Sequence, residues 1–314
     1  MKSPDPKWWK EQRILVTGAD GFIGSRVLGL LGDLGLGRQG NIRQYSLPDG
    51  DLRSASDARW AVRGSDVVLH LAADVGGAGY SEKHAADQYR NCSAIDLAVL
   101  EAAREAGATR VVILSCAAAY PASAASPRVE SAMFDGPPSD SQLGYGLAKR
   151  NGLSLAMLYT RQYGISMSGV VAGQAYGPGD HFDDTAQIVA SIIRQCSSAA
   201  GSIDVAGDGS AVHDFVYVDD VVRGVLLAAE HLAPGTFANV GSGVETSERT
   251  LVELIVELTG YKGSVRFLGK KSTDGSRQSL DISKASRELG YEPQTALREG
   301  LQKTIEWHRR NVRM

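Results

Sequence analysis

The chain has 314 residues, 43% apolar and 22% charged, enough for one large or two modest cores in a soluble globular protein. A formal net charge of −3 gives no electrostatic reason to expect nucleic acid or an anionic membrane as partner. Cys92, Cys116 and Cys196 are odd in number and far apart, which fits a reducing cytosol, and no signal-peptide core or run of about 18 apolar residues occurs, so a cytoplasmic location is expected.

From the N-terminus the rhythm is strand, turn, helix. RILVTG (13–18) is a short β-branched run ending in glycine, FIGSRVLGLLGDLG (22–35) carries apolar residues at helical spacing, and NIRQYSL (41–47) predicts a second strand. A helical ASDARWAVRG (55–64) leads to a strand in DVVLHLAA (66–73), CSAIDLAVLEAAREAG (92–107) is an amphipathic helix, and RVVILS (110–115) is another buried strand. Near-continuous apolar strands separated by helices predict an α/β fold, a Rossmann-type doubly wound parallel sheet whose ligand lies beyond the carboxyl ends of its strands. After about residue 175 the pattern loosens into Gly, Asp and Ser-rich turns, with a helix at 185–196, a strand–helix unit at 213–232 and a helical region from 247 onward. The expected division is a first domain over 1–175, to which 213–240 returns, and a smaller C-terminal α/β substrate lobe over 176–212 and 241–314.

TGADGFIGS (17–25) sets Gly18, Gly21 and Gly24 between a strand and the helix opened by Phe22 and Ile23. Backbone can then approach a pyrophosphate, and the positive helix end can face its charge. That order of elements predicts a bound dinucleotide. An acid at the end of the second strand usually holds the adenosine ribose. Here the strand runs into SLPDGDLR, so Asp49 and Asp51 are the candidates, and the choice between NAD and NADP stays open.

Tyr145 and Lys149 stand one helical turn apart in YGLAK. On one helix face the ammonium favours phenolate and is expected to lower the Tyr pKa, so that the phenol can take or return an alcohol proton while hydride moves to or from nicotinamide. Alone, this spacing is common by chance and reads by default as a surface pair. Beside the glycine turn it becomes specific.

Together these motifs resemble the extended short-chain dehydrogenase/reductase family over nearly the whole chain. The resemblance is carried by TGADGFIG, DLR (51–53), HLAA (70–73), Tyr145 with Lys149, YGPGD (176–180), HDFVYVDD (213–220) and FANVGSG (237–243). LAADVGGAGY (71–80), Tyr120–Pro121 and RQYGI (161–165) are most similar to the GDP-mannose 3,5-epimerases and then the GDP-fucose synthases, which implies a GDP-hexose substrate. The resemblance further implies that Asp51 and Leu52 flank the adenine and that Leu71, Ala72 and Ala73 pass over the adenosine half. Lys149 would bond the nicotinamide ribose, and Val75, Gly76 and Gly77, on to Gly79, would line the sugar pocket. A homodimer is expected through the helix at 92–107 and the helix carrying Tyr145 to Arg161.

Departures from the pattern are as informative. The hydroxyl partner of the catalytic Tyr in relatives falls four residues before Tyr120, where this chain has Cys116, preceded by Ser115; either side chain is a candidate partner, and Cys116 reads equally as a small buried residue. The epimerase Cys falls at Ala118, and its Lys or His counterpart aligns with Gln187, so both carbon acid/base groups are missing. At the nucleotide end His213 replaces an Arg and Gln174 an Asn, leaving His213, Arg194, Arg223 and Arg277 as basic candidates, of which Arg277 is favoured. Asp180, His181, Asp183 and Asp184 in GDHFDD are either a divalent-cation site or a solvated acidic loop. Three functions follow. One is a nucleotide-sugar isomerase, an epimerase or pyranose/furanose mutase, that oxidises a hydroxyl and reduces it again. Another is an NADP-dependent ketosugar reductase or a dehydratase, the latter disfavoured by Ala117 and Ala118 where dehydratase relatives carry Asp-Glu. The third is a catalytically idle binding protein, against which the intact Tyr145 and Lys149 argue.

Overall fold

The computed structural model describes residues 2–37, 41–198, 201–269 and 277–312. In chain order the strands are β1 (Ile14–Thr17), β2 (Ile42–Tyr45), β3 (Val67–His70), β4 (Arg110–Cys116), β5 (Met167–Ala172), β6 (Gln174–Tyr176), β7 (Ser202–Val205), β8 (Val212–Tyr217), β9 (Phe237–Val240), β10 (Glu245–Ser247), β11 (Ser264–Phe267) and β12 (Arg277–Gln278). The helices are α1 (Pro6–Lys10), α2 (Phe22–Asp33), α3 (Ala55–Val62), α4 (Ala78–Lys83), α5 (Ala85–Ala106), α6 (Leu143–Tyr163), α7 (Ile188–Ser198), α8 (Val218–His231), α9 (Glu248–Thr259), α10 (Ser283–Leu289) and α11 (Leu297–Asn311).

β1, β3 and β5 are buried along their whole length, which demands cover on both faces. They form the middle of a six-stranded parallel sheet in the order β2-β1-β3-β4-β5-β9. On one face Val27 and Leu31 of α2 and Val222, Val225 and Leu226 of α8 pack on Val16, Leu69 and Val170. On the other, α3, α5 and α6 set Ala58, Val99, Leu100 and Leu153 against Val68, Val111 and Ile113. Chain direction across the sheet reverses between β1 and β3, so their carboxyl ends open a crevice there.

The smaller lobe pairs β8 with β10, β12 and β6, and β7 with β11. Helices α7, α9 and α11 cover it with Ile192, Ile193, Leu251, Ile255, Leu301 and Ile305 around Phe215. Three expectations need correction. The return to the large sheet is made by α8 and β9, while β8 pairs in the smaller lobe, so it begins at Val218 rather than at 213. The helix expected at 185–196 starts at Ile188. The region after 247 is not continuously helical, because β11 and β12 interrupt it. The N-terminal WW sequence forms α1, whose Trp9 is fully buried in the core under α8.

Buried carboxylates join the lobes. Asp214 on β8 accepts from Ser242 N and Oγ, both at 2.6 Å, and from Gly243 N at 3.1 Å, fixing the turn after β9. Asp220 on α8 accepts from Gln294 N and Thr295 N at 2.9 and 3.0 Å. Much of the HDFVYVDD motif is therefore architecture.

Candidate active site

Between the lobes, along the carboxyl ends of β1, β3, β4 and β5, lies a cleft of about 940 Å³. Gly18, Gly21, Phe22, Ile23 and Gly24 form one wall. Gly18 has φ +66°, and a Cβ there would stand 3.0 Å from Ala72 backbone; a Cβ at Gly24 would fall 2.0 Å from the Gly18 carbonyl oxygen. The turn is thus compressed until bare backbone faces the cleft at the start of α2, a cradle suited to a dinucleotide pyrophosphate. Asp51, Leu52, Leu71, Ala72 and Ala73 line the same end.

A polar relay beneath this wall escaped the sequence reading. Thr17 Oγ1 accepts from Leu71 N at 3.1 Å, which leaves its proton for His70 Nδ1 at 2.8 Å; His70 Nε2 then donates to Asp96 at 3.1 Å. His70 is 2% exposed. The relay ties the ends of β1 and β3 to α5, and HLAA was its only signal in the sequence.

At the centre, the Tyr145 phenol and the Cys116 thiol are paired side chain to side chain. Lys149 Nζ lies 5.8 Å from the Tyr145 ring centroid and donates to the Leu114 carbonyl at 3.0 Å. Ser115 is turned away from the phenol: its hydroxyl donates to the Lys149 carbonyl at 3.3 Å, tying β4 to α6. Cys116, and not Ser115, is therefore the side chain that reaches Tyr145. Burial pushes the Tyr145 phenol well above its ordinary range, and the nearby Cys116 adds to the shift. This corrects the expectation that Lys149 by itself lowers it, because desolvation of a phenolate outweighs one ammonium whose proton is shared with a carbonyl. Burial likewise raises the Cys116 thiol. The turn after β4 is held rigidly. Arg128, 1% exposed, donates to Ala117 O at 2.9 Å, and Arg150 donates to Ala119 O at 2.6 and 2.8 Å. Tyr120 belongs to this scaffold, donating to Asn239 Oδ1 at 2.7 Å.

At the far end, Val75, Gly76, Ala118, Gln174, Gln187 and His213 face the cleft. Gln187 Nε2 donates to Gly76 O at 3.0 Å, and Gln174 Nε2 to Gln187 Oε1 at 3.4 Å, a latch between the lobes. His213 Nε2 meets Glu248 at 3.1 Å. Several residues predicted for the site do not line this wall, Asp49, Gly79, Arg194 and Arg223 among them. Gly77 caps α4, packed against the Thr185 and Ala186 carbonyls. Arg277 is ion-paired with Glu245 on β10, while its neighbour Gln278 faces the cleft. Asp184 is fully exposed and paired with Arg194.

Asp180, His181 and Asp183 do line the cleft, but their side chains do not converge. Asp183 caps Thr185, and no group of three or more metal-type ligands occurs among the described residues. The cation-site expectation is not supported by this geometry. Asp180 is notable instead for its titration: burial pushes it up to about 6, although His181 N donates to it at 2.8 Å.

Comparison with known proteins fits this cleft. Residues 14–241 match the NAD dependent epimerase/dehydratase family. The chain is 31% identical to a UDP-glucose 4-epimerase of Mycolicibacterium smegmatis over 319 residues, covering 95% of this chain and 98% of that protein. It is 29% identical to GDP-L-fucose synthase of Escherichia coli, covering 96% and 98%. The structure is similar to that of a GDP-6-OMe-4-keto-L-xylo-heptose reductase from C. jejuni, with a TM-score of 0.89 at 18% identity over 96% of this chain and 98% of that one. A strand–glycine–helix cradle, a Tyr–Lys pair beside the carboxyl end of β4 and a match over most of the chain lead to one conclusion: this chain belongs to the NAD-dependent epimerase/dehydratase family.

Proposed function

We propose that the chain is a cytoplasmic, homodimeric nucleotide-sugar isomerase, an epimerase or pyranose/furanose mutase acting on a GDP-hexose, which oxidises one sugar hydroxyl transiently and reduces it again. The observation that carries this reading is the Tyr145 phenol, bonded to Cys116 beside Lys149 in the same cleft as the glycine cradle. Residues 1–175 with the returning segment would hold the coenzyme, and the smaller lobe the nucleotide.

When bound, a nicotinamide coenzyme would supply reversible hydride transfer at the sugar carbon and, in its oxidised form, a positive charge in the cleft. Tyr145, once ionised with the help of the nearby positive charge, would take the hydroxyl proton as the carbonyl forms and give the same proton back on re-reduction. The Lys149 side chain, with the coenzyme's charge, would oppose the burial that raises the phenol. Cys116 holds the phenolic oxygen in place. Ala118 and Gln187 cannot exchange ring-carbon protons, so the rearrangement is one that needs few protein acid/base groups: rotation of a ketone before re-reduction, or ring mutation.

The same absence of carbon acid/base groups favours a second reading, a GDP-ketosugar reductase with net consumption of reduced coenzyme. Denaturing purified protein separates the two, since an isomerase of this type releases retained coenzyme and a reductase requires it added. NMR of products from a panel of GDP-sugars then identifies the reaction. Tyr145→Phe is expected to lower the rate at least about a hundredfold. Near-normal turnover in that variant rejects the assignment, and no turnover of any GDP-sugar by wild type rejects the function.

A further inference from the structure

We infer, resting on the reading of this cleft as a nucleotide-sugar site, that Phe182 is a positioning residue: seated on the aromatic end of α11, it holds the segment before α7 so that the opposite side of that segment meets the sugar. Between Tyr176, where β6 ends, and Ile188, where α7 begins, the chain forms no helix or strand. Its last part, HFDDTAQ (181–187), contains a single large apolar side chain, Phe182. The segment has space on both sides. His181, Asp183, Thr185 and Gln187 face the cleft, whereas Phe182 and Asp184 face a second hollow of about 440 Å³, backed by Arg194 and His308. Close packing on two flanks therefore does not fix the segment, and its separate ties decide where it stands.

Most of those ties are local or weak. Asp183 Oδ1 accepts from Thr185 N and Oγ1 at 2.8 and 2.6 Å, which shapes the turn without binding it to another element. The Asp184–Arg194 pair, at 3.0 Å, has its carboxylate 100% exposed and open to screening. Gln187 Nε2 reaches Gly76 O in the other lobe, from the segment's far end. Phe182 supplies the tie to its own lobe. Its ring is stacked on Trp307, with centroids 5.9 Å and planes 26° apart, and its centroid lies 4.6 Å from that of His308. Burial, with Arg309 adding to it, holds the His308 imidazole below its ordinary value, so Phe182 meets a neutral ring. From there α11 carries the contact to Leu301 and Ile305 in the core around Phe215. Among the described residues Trp307 lines neither the cleft nor the hollow, so it acts on the sugar only through Phe182. Without this pin the segment is free to sink into the hollow, and a sugar must then order it on binding.

The test is calorimetric titration of the full-length protein, saturated with NADH, using GDP-mannose and, separately, GDP. Reduced coenzyme does not accept hydride, so binding alone is read. In Phe182→Ala the affinity for GDP-mannose is expected to fall at least about tenfold, while that for GDP changes less than about threefold. Trp307→Ala is expected to give the same split, and the double variant to lie within about twofold of either single one, because both remove one contact. Trp307→Phe keeps a stacking ring and is expected to restore the wild-type ratio of the two affinities. A ratio in Phe182→Ala and Trp307→Ala equal to that of the wild type, whether both affinities hold or both fall, overturns the positioning role and leaves the GDP-sugar reading standing. A wild type that binds neither ligand overturns both.

Discussion

At the scale of single residues, Cys116 has the sharpest consequence. A thiol is a weaker hydrogen-bonding partner than a hydroxyl, so the phenol of Tyr145 is held less firmly than Ser would hold it. Cys116→Ser is expected to raise kcat by about fivefold, the worth of one neutral hydrogen bond, and Cys116→Ala to lower it. Equal turnover in all three proteins would show that the side chain does not act on Tyr145. Asp180 makes a prediction about pH. Its carboxyl titrates near 6 in the folded chain, above its ordinary value, so the native state holds the proton more tightly than the unfolded one. Its contribution is therefore complete below about pH 4 and is lost as pH rises through 6, at a cost of up to about 3 kcal/mol. Asp180→Asn keeps an acceptor for His181 N and avoids that cost. In denaturant unfolding it should gain on the wild type above pH 6 and not below pH 4; a difference independent of pH would show that Asp180 titrates normally. The register of Cys116 was legible by counting back from Tyr120. The raised phenol of Tyr145 was not, because the burial that raises it comes from elements distant in sequence, whereas the spacing to Lys149 is local.

At the scale of elements, the cleft has two opposed walls that come from different lobes. The turn after β4 presents Ala118, pinned by Arg128 and Arg150, and the segment before α7 presents Gln187, latched to Gly76. Both were assigned from resemblance alone, and both do face the cleft. On the proposed function, Ala118→Cys combined with Gln187→Lys is therefore expected to give the protein ring-carbon deuterium uptake from heavy water that the wild type lacks, read by mass spectrometry of the recovered nucleotide sugar. Absence of uptake despite normal coenzyme binding would mean that these walls do not flank the sugar ring. The strands of the large sheet were legible because each is a short apolar run between a glycine or polar turn and an amphipathic helix. β12 was not: it is two residues long, and its pairing with β8 is set by tertiary contact rather than by any alternation of its own. Nor could the sequence show that Glu245 on neighbouring β10 pairs with Arg277.

At the scale of the whole molecule, α5 and α6 pack on the large sheet with one face each and leave apolar side chains on another. Tyr89 and Leu97 on α5 are 42% and 52% exposed, and Leu147 and Leu158 on α6 are 36% and 58% exposed. A separation of eleven residues returns to within about 20° of the same side of a helix and one of eight to within about 80°, so each pair falls within one apolar stripe. Apolar stripes on two adjacent helices fit the self-complementary face of a two-fold dimer, in which the pair of helices meets its copy as a four-helix layer. None of these residues lines the cleft, and α6 carries Tyr145 and Lys149 on a different side, so association would brace the catalytic helix without entering the site. Light scattering is expected to give twice the chain mass for the wild type and the single chain mass for Leu97→Asp combined with Leu158→Asp. The monomer should bind NADH, because the cradle at the start of α2 is built within one chain. A wild type that runs as a monomer at micromolar concentration, or a double variant that stays dimeric, would place the contact elsewhere.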